Sequence, residues 1–109
     1  MSLKGVKEAL REKNVYYSVV TMKFGLSEAY SILNERFKTS PMAMTGMTGF
    51  AMLNGGKGKR TLHFGLLDHV EPRTPQMVER VGKIIFDTLR DLGVRVQWDG
   101  DPNHTMTLA

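Results

Sequence analysis

The sequence predicts one α+β domain over residues 1–109. Its core is a single-layer, five-stranded sheet, mixed or mostly antiparallel, with about three helices packed mainly on one face. Three observations predict this class. Helix-like and strand-like segments follow one another in the order α-β-α-β-β-α-β-β. A turn rich in asparagine and glycine, at 54–59, separates two strand-like segments, which is typical of a hairpin. The segment 74–93 has the clearest helical periodicity, with a start signal and a stop signal at its ends.

The first two elements are predicted to be a helix and a strand. Apolar residues recur at helical spacing over 3–10, with charged residues between them, and Ser2 is the expected N-cap. The segment 15–24 is rich in β-branched and aromatic residues, and Gly25 closes it. Because both parities of this strand begin with apolar residues, we expect a central strand with both faces partly covered.

The third element is predicted to be a helix that begins with Ser27 as its N-cap and has Glu28 in its first turn. It is expected to end before Pro41, because a residue that precedes proline is disfavoured in the α region. The predicted buried stripe consists of Ala29, Ile32, Leu33 and Phe37.

A β-hairpin is predicted next, with strands at 49–53 and 60–66. Asparagine and glycine in the intervening turn tolerate the positive φ that tight hairpin turns require. In the second strand, apolar and smaller or polar residues alternate: Leu62, Phe64 and Leu66 against Thr61, His63 and Gly65.

The last helix is predicted to begin with Thr74 as N-cap and Pro75 at the first helical position, where its missing N–H costs nothing. Gly82 interrupts the helix, which indicates close approach to the sheet, and Gly93 supplies the left-handed stop. The expected apolar stripe is Val78, Val81, Ile85, Leu89 and Leu92. A strand at 94–98, a turn at 99–103 and a strand at 104–108 complete the chain.

Composition limits the function classes. Hydrophobic residues make up 41% and charged residues 24% of the chain, as in an ordinary globular domain. The chain has no cysteine, which excludes disulfides, thiol catalysis and thiolate metal sites. The N-terminus lacks the apolar stretch of a secretion signal, so a cytoplasmic location is expected. No cofactor is predicted.

The net charge of +4 is unevenly distributed. Residues 1–66 contain ten basic and four acidic side chains, whereas residues 67–109 contain five and seven. Such an asymmetry suits nucleic acid, an acidic partner, or two copies that pair through oppositely charged faces.

The glycine-rich turn is the first candidate site. Glycine N–H groups can form a nest for an anion, and the cations of Lys57, Lys59 and Arg60 would reinforce it. The pattern is no P-loop, because the Lys-Ser/Thr pair is missing and a strand follows. A solvated hairpin tip is the alternative, and nucleic acid or phosphate is the ligand class that this site would take.

A second candidate site is the methionine-rich segment before the hairpin. Met42, Met44, Met47 and Phe50 lie in a stretch without charged residues, which predicts an interface with another protein. Core packing is the alternative for the same side chains.

The three histidines, His63, His69 and His104, are the third candidate group. With nearby aspartates they could serve as metal ligands or as a general base. No metal-binding spacing and no nucleophile motif accompany them, so no catalytic residue and no metal site are predicted.

The C-terminal half resembles a bacterial family described only as a domain of unknown function. The resemblance lies in the segments 62–65 and 81–83 and in 89–102, which reads Leu-x-x-x-Gly-aliphatic-x-aliphatic-x-Trp-Asp-Gly. It covers about half of the chain. The segment 42–53 lacks the cysteine and the polar Gln-Asp-Thr stretch that the family usually has. The resemblance implies no mechanism.

Together these features predict a non-enzymatic protein–protein interaction module that forms a homodimer or binds another protein. Two other classes stay open: a binder of nucleic acid or a phosphate ligand through the hairpin loop, and a metal-dependent enzyme that uses His and Asp side chains.

Overall fold

Three helices and five strands make up the computed structural model, which describes residues 5–20, 25–40, 46–55, 60–67, 70–71 and 73–108. The elements follow the predicted order. They are α1 (Val6–Glu12), β1 (Val15–Val20), α2 (Leu26–Thr39), β2 (Gly49–Asn54), β3 (Arg60–Leu66), α3 (Pro75–Asp91), β4 (Val96–Gln97) and β5 (Met106–Leu108).

The five strands form one mixed sheet in the order β1-β2-β3-β5-β4. Strands β1 and β2 are parallel, and the other three pairs are antiparallel. The predicted α+β class, the mixed five-stranded sheet and the element order are therefore confirmed. The hairpin is confirmed as well, since Ala51 of β2 lies opposite Phe64 of β3.

The helices cover both faces of the sheet. Val81 of α3 lies over Gly49, whereas the ring of Tyr30 in α2 packs edge-on against Phe50 at 5.6 Å. Because consecutive strand residues point to opposite faces, α3 and α2 cover opposite faces. Helix α1 contacts α3 and shares its face, so two of the three helices lie on one side.

Strand β1 is an edge strand, and the prediction that it is central was wrong. Its apolar residues have a different cause, since both faces of β1 are covered by helices although no described strand pairs with its outer edge. On one face Tyr16 packs edge-on against Phe37 of α2, with ring centroids 5.2 Å apart. Helix α1 contacts β1 as well. Burial on both faces therefore does not require a neighbouring strand on both edges.

The start and stop signals of α3 work as predicted. The Thr74 hydroxyl oxygen accepts a hydrogen bond from the Met77 N–H at 3.2 Å, and Pro75 occupies the first turn. Gly93 has a φ of 81°. The Gly93 N–H donates to the Arg90 carbonyl and the Val94 N–H to the Leu89 carbonyl, which together form a Schellman motif.

The beginnings of α1 and α2 differ from the prediction. Helix α2 begins at Leu26 after Gly25, so Ser27 lies inside the helix instead of capping it. Helix α1 begins at Val6, because Gly5 has a left-handed φ of 87° that ends the helical geometry; Ser2 lies outside the described residues. Neither helix has a side-chain cap at its N-terminus.

The last two strands are shorter than the predicted 94–98 and 104–108. Val94 cannot begin β4, because its N–H is used in the Schellman motif. At the other side of the turn, the His104 N–H donates to the Asp101 carbonyl, and the side chain of Asp101 accepts from the Asn103 N–H. Local turn bonds therefore replace ladder bonds at both ends of this hairpin.

The core lies on both sides of the sheet. Its fully buried side chains include Leu10, Leu33, Met52, Leu62, Ile85, Leu89 and Met106. Of the predicted α3 stripe, Leu92 is exposed. Trp98 is half-buried against α3, and its indole N–H donates to the Asp101 carbonyl at 3.0 Å. Helix α3, with 17 residues the longest, is too short and too polar to cross a lipid bilayer, as are the other described helices.

Candidate functional site

The predicted site residues are only partly within the described chain. Lys57 and Lys59 lie outside the described residues, and Arg60 is exposed at the start of β3. Burial raises the pKa of Tyr17, and the nearby charge of Arg60 opposes that rise. Nucleic-acid or phosphate binding by the hairpin loop stays a prediction.

Only two of the four residues of the predicted methionine-rich interface lie within the described chain. Met42 and Met44 lie outside the described residues. Met47 and Phe50 are only 2% and 8% exposed and belong to the core, so their side chains are not on the surface of the described chain.

Two of the three histidines line one small cleft. His63 and His104 lie around a cavity of about 140 Å³, together with Tyr30 and the turn residues Pro102 and Asn103. His69 lies outside the described residues. Burial lowers the pKa of His63 and so favours its neutral imidazole. No set of three or more potential metal-ligating side chains occurs within the described ranges.

His104 forms a hydrogen-bonded pair with an aspartate. Its Nδ1 is hydrogen-bonded to the Asp99 carboxylate, and both side chains are more than half exposed. This hydrogen bond raises the pKa of His104 and lowers the pKa of Asp99. Asp99 also accepts from the Asp101 N–H, so the pair fastens the turn between β4 and β5.

The free edge of β1 is the best-developed site in the described chain. A groove of about 510 Å³ runs along it, between α1 and the C-terminal part of α2. Its lining residues are Lys7, Tyr16, Tyr17, Ser18, Val19, Arg36, Thr39 and Ser40. Two of them are cationic and none is acidic.

Hydrogen bonds define which backbone groups of β1 face the groove. The carbonyls of Asn14 and Val20 accept from the β2 side, from the N–H groups of Thr48, Gly49 and Gly55. The direction of backbone N–H and carbonyl groups alternates along a strand. The N–H and carbonyl groups of Val15, Tyr17 and Val19 therefore point away from β2, to the outer edge of β1. The N–H and carbonyl groups of Val15 and Tyr17, and the Val19 N–H, have no hydrogen-bond partner among the described residues.

Arg36 closes one end of this edge. Its Nη1 donates to the Val19 carbonyl at 2.7 Å and to the Ser18 hydroxyl at 2.9 Å. Ser18 is the one buried polar side chain in the part of the chain that the structure describes, and this bond satisfies its hydroxyl. Burial raises the pKa of Tyr16, and the nearby charge of Arg36 opposes that rise.

A second groove lies at the opposite edge of the sheet, beside β4. It has a volume of about 560 Å³ and is lined by Phe86, Arg90, Val94, Arg95 and Val96, among others. The guanidinium carbon of Arg90 lies 5.5 Å from the centre of the Phe86 ring. Strand β4 has only two residues, so its edge offers far fewer backbone groups than β1.

The sequence does not reveal the β1 edge as a site. No motif marks an edge strand, and the bond from Arg36 to Val19 joins residues 17 positions apart. The one available signal is the basic, acid-free composition that begins at Arg36.

No protein-family model, no curated protein and no solved structure matches the chain. The resemblance to the bacterial domain family stays a prediction, and the site must be interpreted from its own chemistry.

Proposed function

We propose that this protein is a protein–protein interaction module that binds an extended segment of a partner protein along the free edge of β1. In this mode the segment adds a sixth strand to the sheet, and main-chain hydrogen bonds supply most of the binding energy. The proposal narrows the sequence-based prediction of an interaction module to one surface.

The unpaired backbone groups of Val15, Tyr17 and Val19 carry this proposal. They offer three donors and two acceptors in strand geometry, beside a groove of about 510 Å³. At about 1 kcal/mol net for each bond, five bonds give roughly 5 kcal/mol before ordering costs. A short peptide should therefore bind with a dissociation constant of roughly 0.1–1 mM or weaker.

Two kinds of partner supply such a segment, a second copy of this chain or a different protein. Symmetric pairing of two β1 edges would bring Lys7 and Arg36 of both copies to one seam. Like charges at a strand seam are destabilising. The charges therefore favour a different protein as the partner.

The test is an NMR titration of ¹⁵N-labelled protein with a capped hexapeptide of alternating valine and threonine that carries one glutamate for solubility. We expect shift changes at the outward amides of Val15, Tyr17 and Val19, because these would donate to or lie beside the added strand. The amide of Val96, at the opposite edge of the sheet, serves as the internal reference and should not move.

Two variants at one position separate strand addition from other binding. Val19→Pro removes an outward N–H on an edge strand, where proline is tolerated, and should weaken the binding that causes the shift changes by roughly fivefold. Val19→Thr keeps the N–H and the branched side chain and should preserve them. Val19 is 46% exposed, so neither change affects the core. Equal binding by both variants would contradict the proposal.

A further inference from the structure

The guanidinium of Arg36 has a fixed half and a free half. Its Nη1 carries two N–H groups, and these are directed at the Val19 carbonyl and the Ser18 hydroxyl. Two hydrogen bonds to one nitrogen hold the planar group in place at the edge of β1. The side chain is thus ordered although the residue is exposed.

The other three N–H groups, on Nη2 and Nε, have no hydrogen-bond partner within the described ranges. No carboxylate of these residues lies within ion-pair distance of the guanidinium. The Nη2–Nε side of an arginine is one of the two edges that bind a carboxylate through two parallel hydrogen bonds. Lys7 adds a second positive charge to the same groove.

We infer that Arg36 is a carboxylate-binding residue that selects partner segments with a glutamate or aspartate side chain beside Val19. This inference rests on the proposed strand addition, and it names the chemistry of the partner. Nη1 keeps its two bonds while Nη2 and Nε bind the carboxylate, so binding requires no rearrangement of Arg36. Because the guanidinium is already held in place, less side-chain conformational entropy is lost when a carboxylate binds to Nη2 and Nε.

The alternative role for Arg36 is purely structural, namely to cover the Val19 carbonyl at the end of β1. That role needs only Nη1 and gives no preference for an acidic partner. Selection of a carboxylate is therefore the property that distinguishes the two roles. It can be measured with peptides that differ in a single functional group.

The experiment uses a set of acetylated and amidated hexapeptides of alternating valine and threonine, in which glutamate occupies each position in turn. Each has a twin with glutamine at that position, so the glutamate side chain is the only carboxylate. For the wild-type chain we expect one position at which the glutamate peptide binds roughly tenfold more tightly than its glutamine twin. Elsewhere the twins should differ little.

Variants assign the preference to a side chain. Arg36→Gln should bind both twins alike, and Arg36→Lys should keep only part of the preference, since an ammonium group has no fork. Lys38→Gln removes a neighbouring exposed charge of α2 outside the groove and should leave the preference unchanged. Lys7→Gln should weaken all glutamate peptides by a similar factor. The ¹H–¹⁵N spectrum of each variant verifies its fold.

The outcomes separate the two proposals. If no peptide of either kind binds the wild-type chain at the β1 amides, strand addition is wrong and this inference falls with it. If the twins bind equally at every position, strand addition stands and the role of Arg36 is refuted. A preference that persists in Arg36→Gln also refutes it.

Discussion

At the scale of single residues, the pair of His104 and Asp99 gives a direct test of the electrostatics. Because its hydrogen bond to Asp99 stabilises the protonated imidazole, the pKa of His104 lies above the ordinary 6.5. We expect an NMR titration of the imidazole protons to show this, and Asp99→Asn to return the pKa of His104 towards 6.5. The asparagine oxygen can still accept from the Asp101 N–H, so the turn remains.

His63 is the matched reference in the same titration. Burial lowers the pKa of its imidazole, and no carboxylate contributes to that shift, so Asp99→Asn should leave it unchanged. Equal changes in the pKa values of both histidines would mean that the substitution acts through the fold rather than through the hydrogen bond.

The same pair predicts a shallow pH dependence of stability. The folded state binds the His104 proton more tightly, so this contribution is complete below pH 6.5 and is lost as the pH rises through the raised pKa. The Asp99 contribution is complete above pH 3.8 and is lost as the pH falls through the lowered pKa. Both are present between these values, and the exposure of the two side chains keeps the effect small.

At the scale of elements, the contact between α3 and the sheet depends on the absence of a side chain at Gly82. A Cβ there would lie 2.7 Å from Phe64 Cε2 and 2.9 Å from Trp98 Cη2. These two rings also pack edge-on against each other at 5.5 Å. Alanine would gain about 1 kcal/mol in helix propensity. Overpacking costs roughly 1–3 kcal/mol.

We therefore expect Gly82→Ala to lower the free energy of unfolding by about 1 kcal/mol, with urea titration as the measurement. The emission of Trp98, the only tryptophan, should change in the folded state because its ring must move. Lys83→Ala, at the next and exposed position of α3, should stay within about 0.5 kcal/mol of wild type. A Gly82→Ala protein that is more stable than wild type would show that the Phe64 and Trp98 rings shift at little energetic cost.

The elements that the sequence predicts best are those whose signals are local. Helix α3 has its cap, its proline and its stop within one segment, and each of these works through neighbours along the chain. Its glycine at 82 is also visible in the sequence, although it acts through Phe64 and Trp98 outside the helix. The hairpin is equally local, and its strand β3 has the predicted bounds. Strand β1 is different, because its place in the sheet depends on which strand pairs with it across 34 residues, as in Val15 with Gly49.

The candidate site could not be predicted for the same reason. A free strand edge exists only once the strand order is known, and the fixed half of Arg36 exists only once α2 has packed against β1. The interface residues predicted from composition show the second difficulty. Met47 and Phe50 are apolar, as interface residues often are, but core residues are apolar too, and both side chains lie in the core. Composition identifies side chains that need cover, and the fold decides whether the chain covers them itself.

At the scale of the whole molecule, both open edges of the sheet are basic. Lys7 and Arg36 line the groove at β1, Arg90 and Arg95 line the groove at β4, and no acidic residue of the described ranges lines either groove. Like charges that flank a strand edge oppose pairing of that edge between copies. This arrangement opposes a homodimer formed through the sheet edges. The homodimer predicted from the sequence uses other surfaces, oppositely charged faces or the methionine-rich segment, and stays a prediction.

We expect light scattering after size-exclusion chromatography to give the monomer mass of 12.3 kDa from micromolar to millimolar protein at low salt. The variant Lys7→Glu/Arg36→Glu should also be monomeric alone, because its β1 edges then repel each other as acidic surfaces. An equimolar mixture of this variant with wild type should associate, since opposite charges then meet along the strand edges, and salt should reverse the association.

A variant with the same change in charge at another surface provides the control for that mixture. Arg80 and Lys83 are exposed on α3 and line neither groove, and Arg80→Glu/Lys83→Glu mixed with wild type should remain monomeric. Association of this control would mean that net charge, not the strand edge, drives the contact. A wild-type dimer at low salt would mean that two copies associate either through the basic edges in spite of their charge or through an interface elsewhere, as the sequence first predicted.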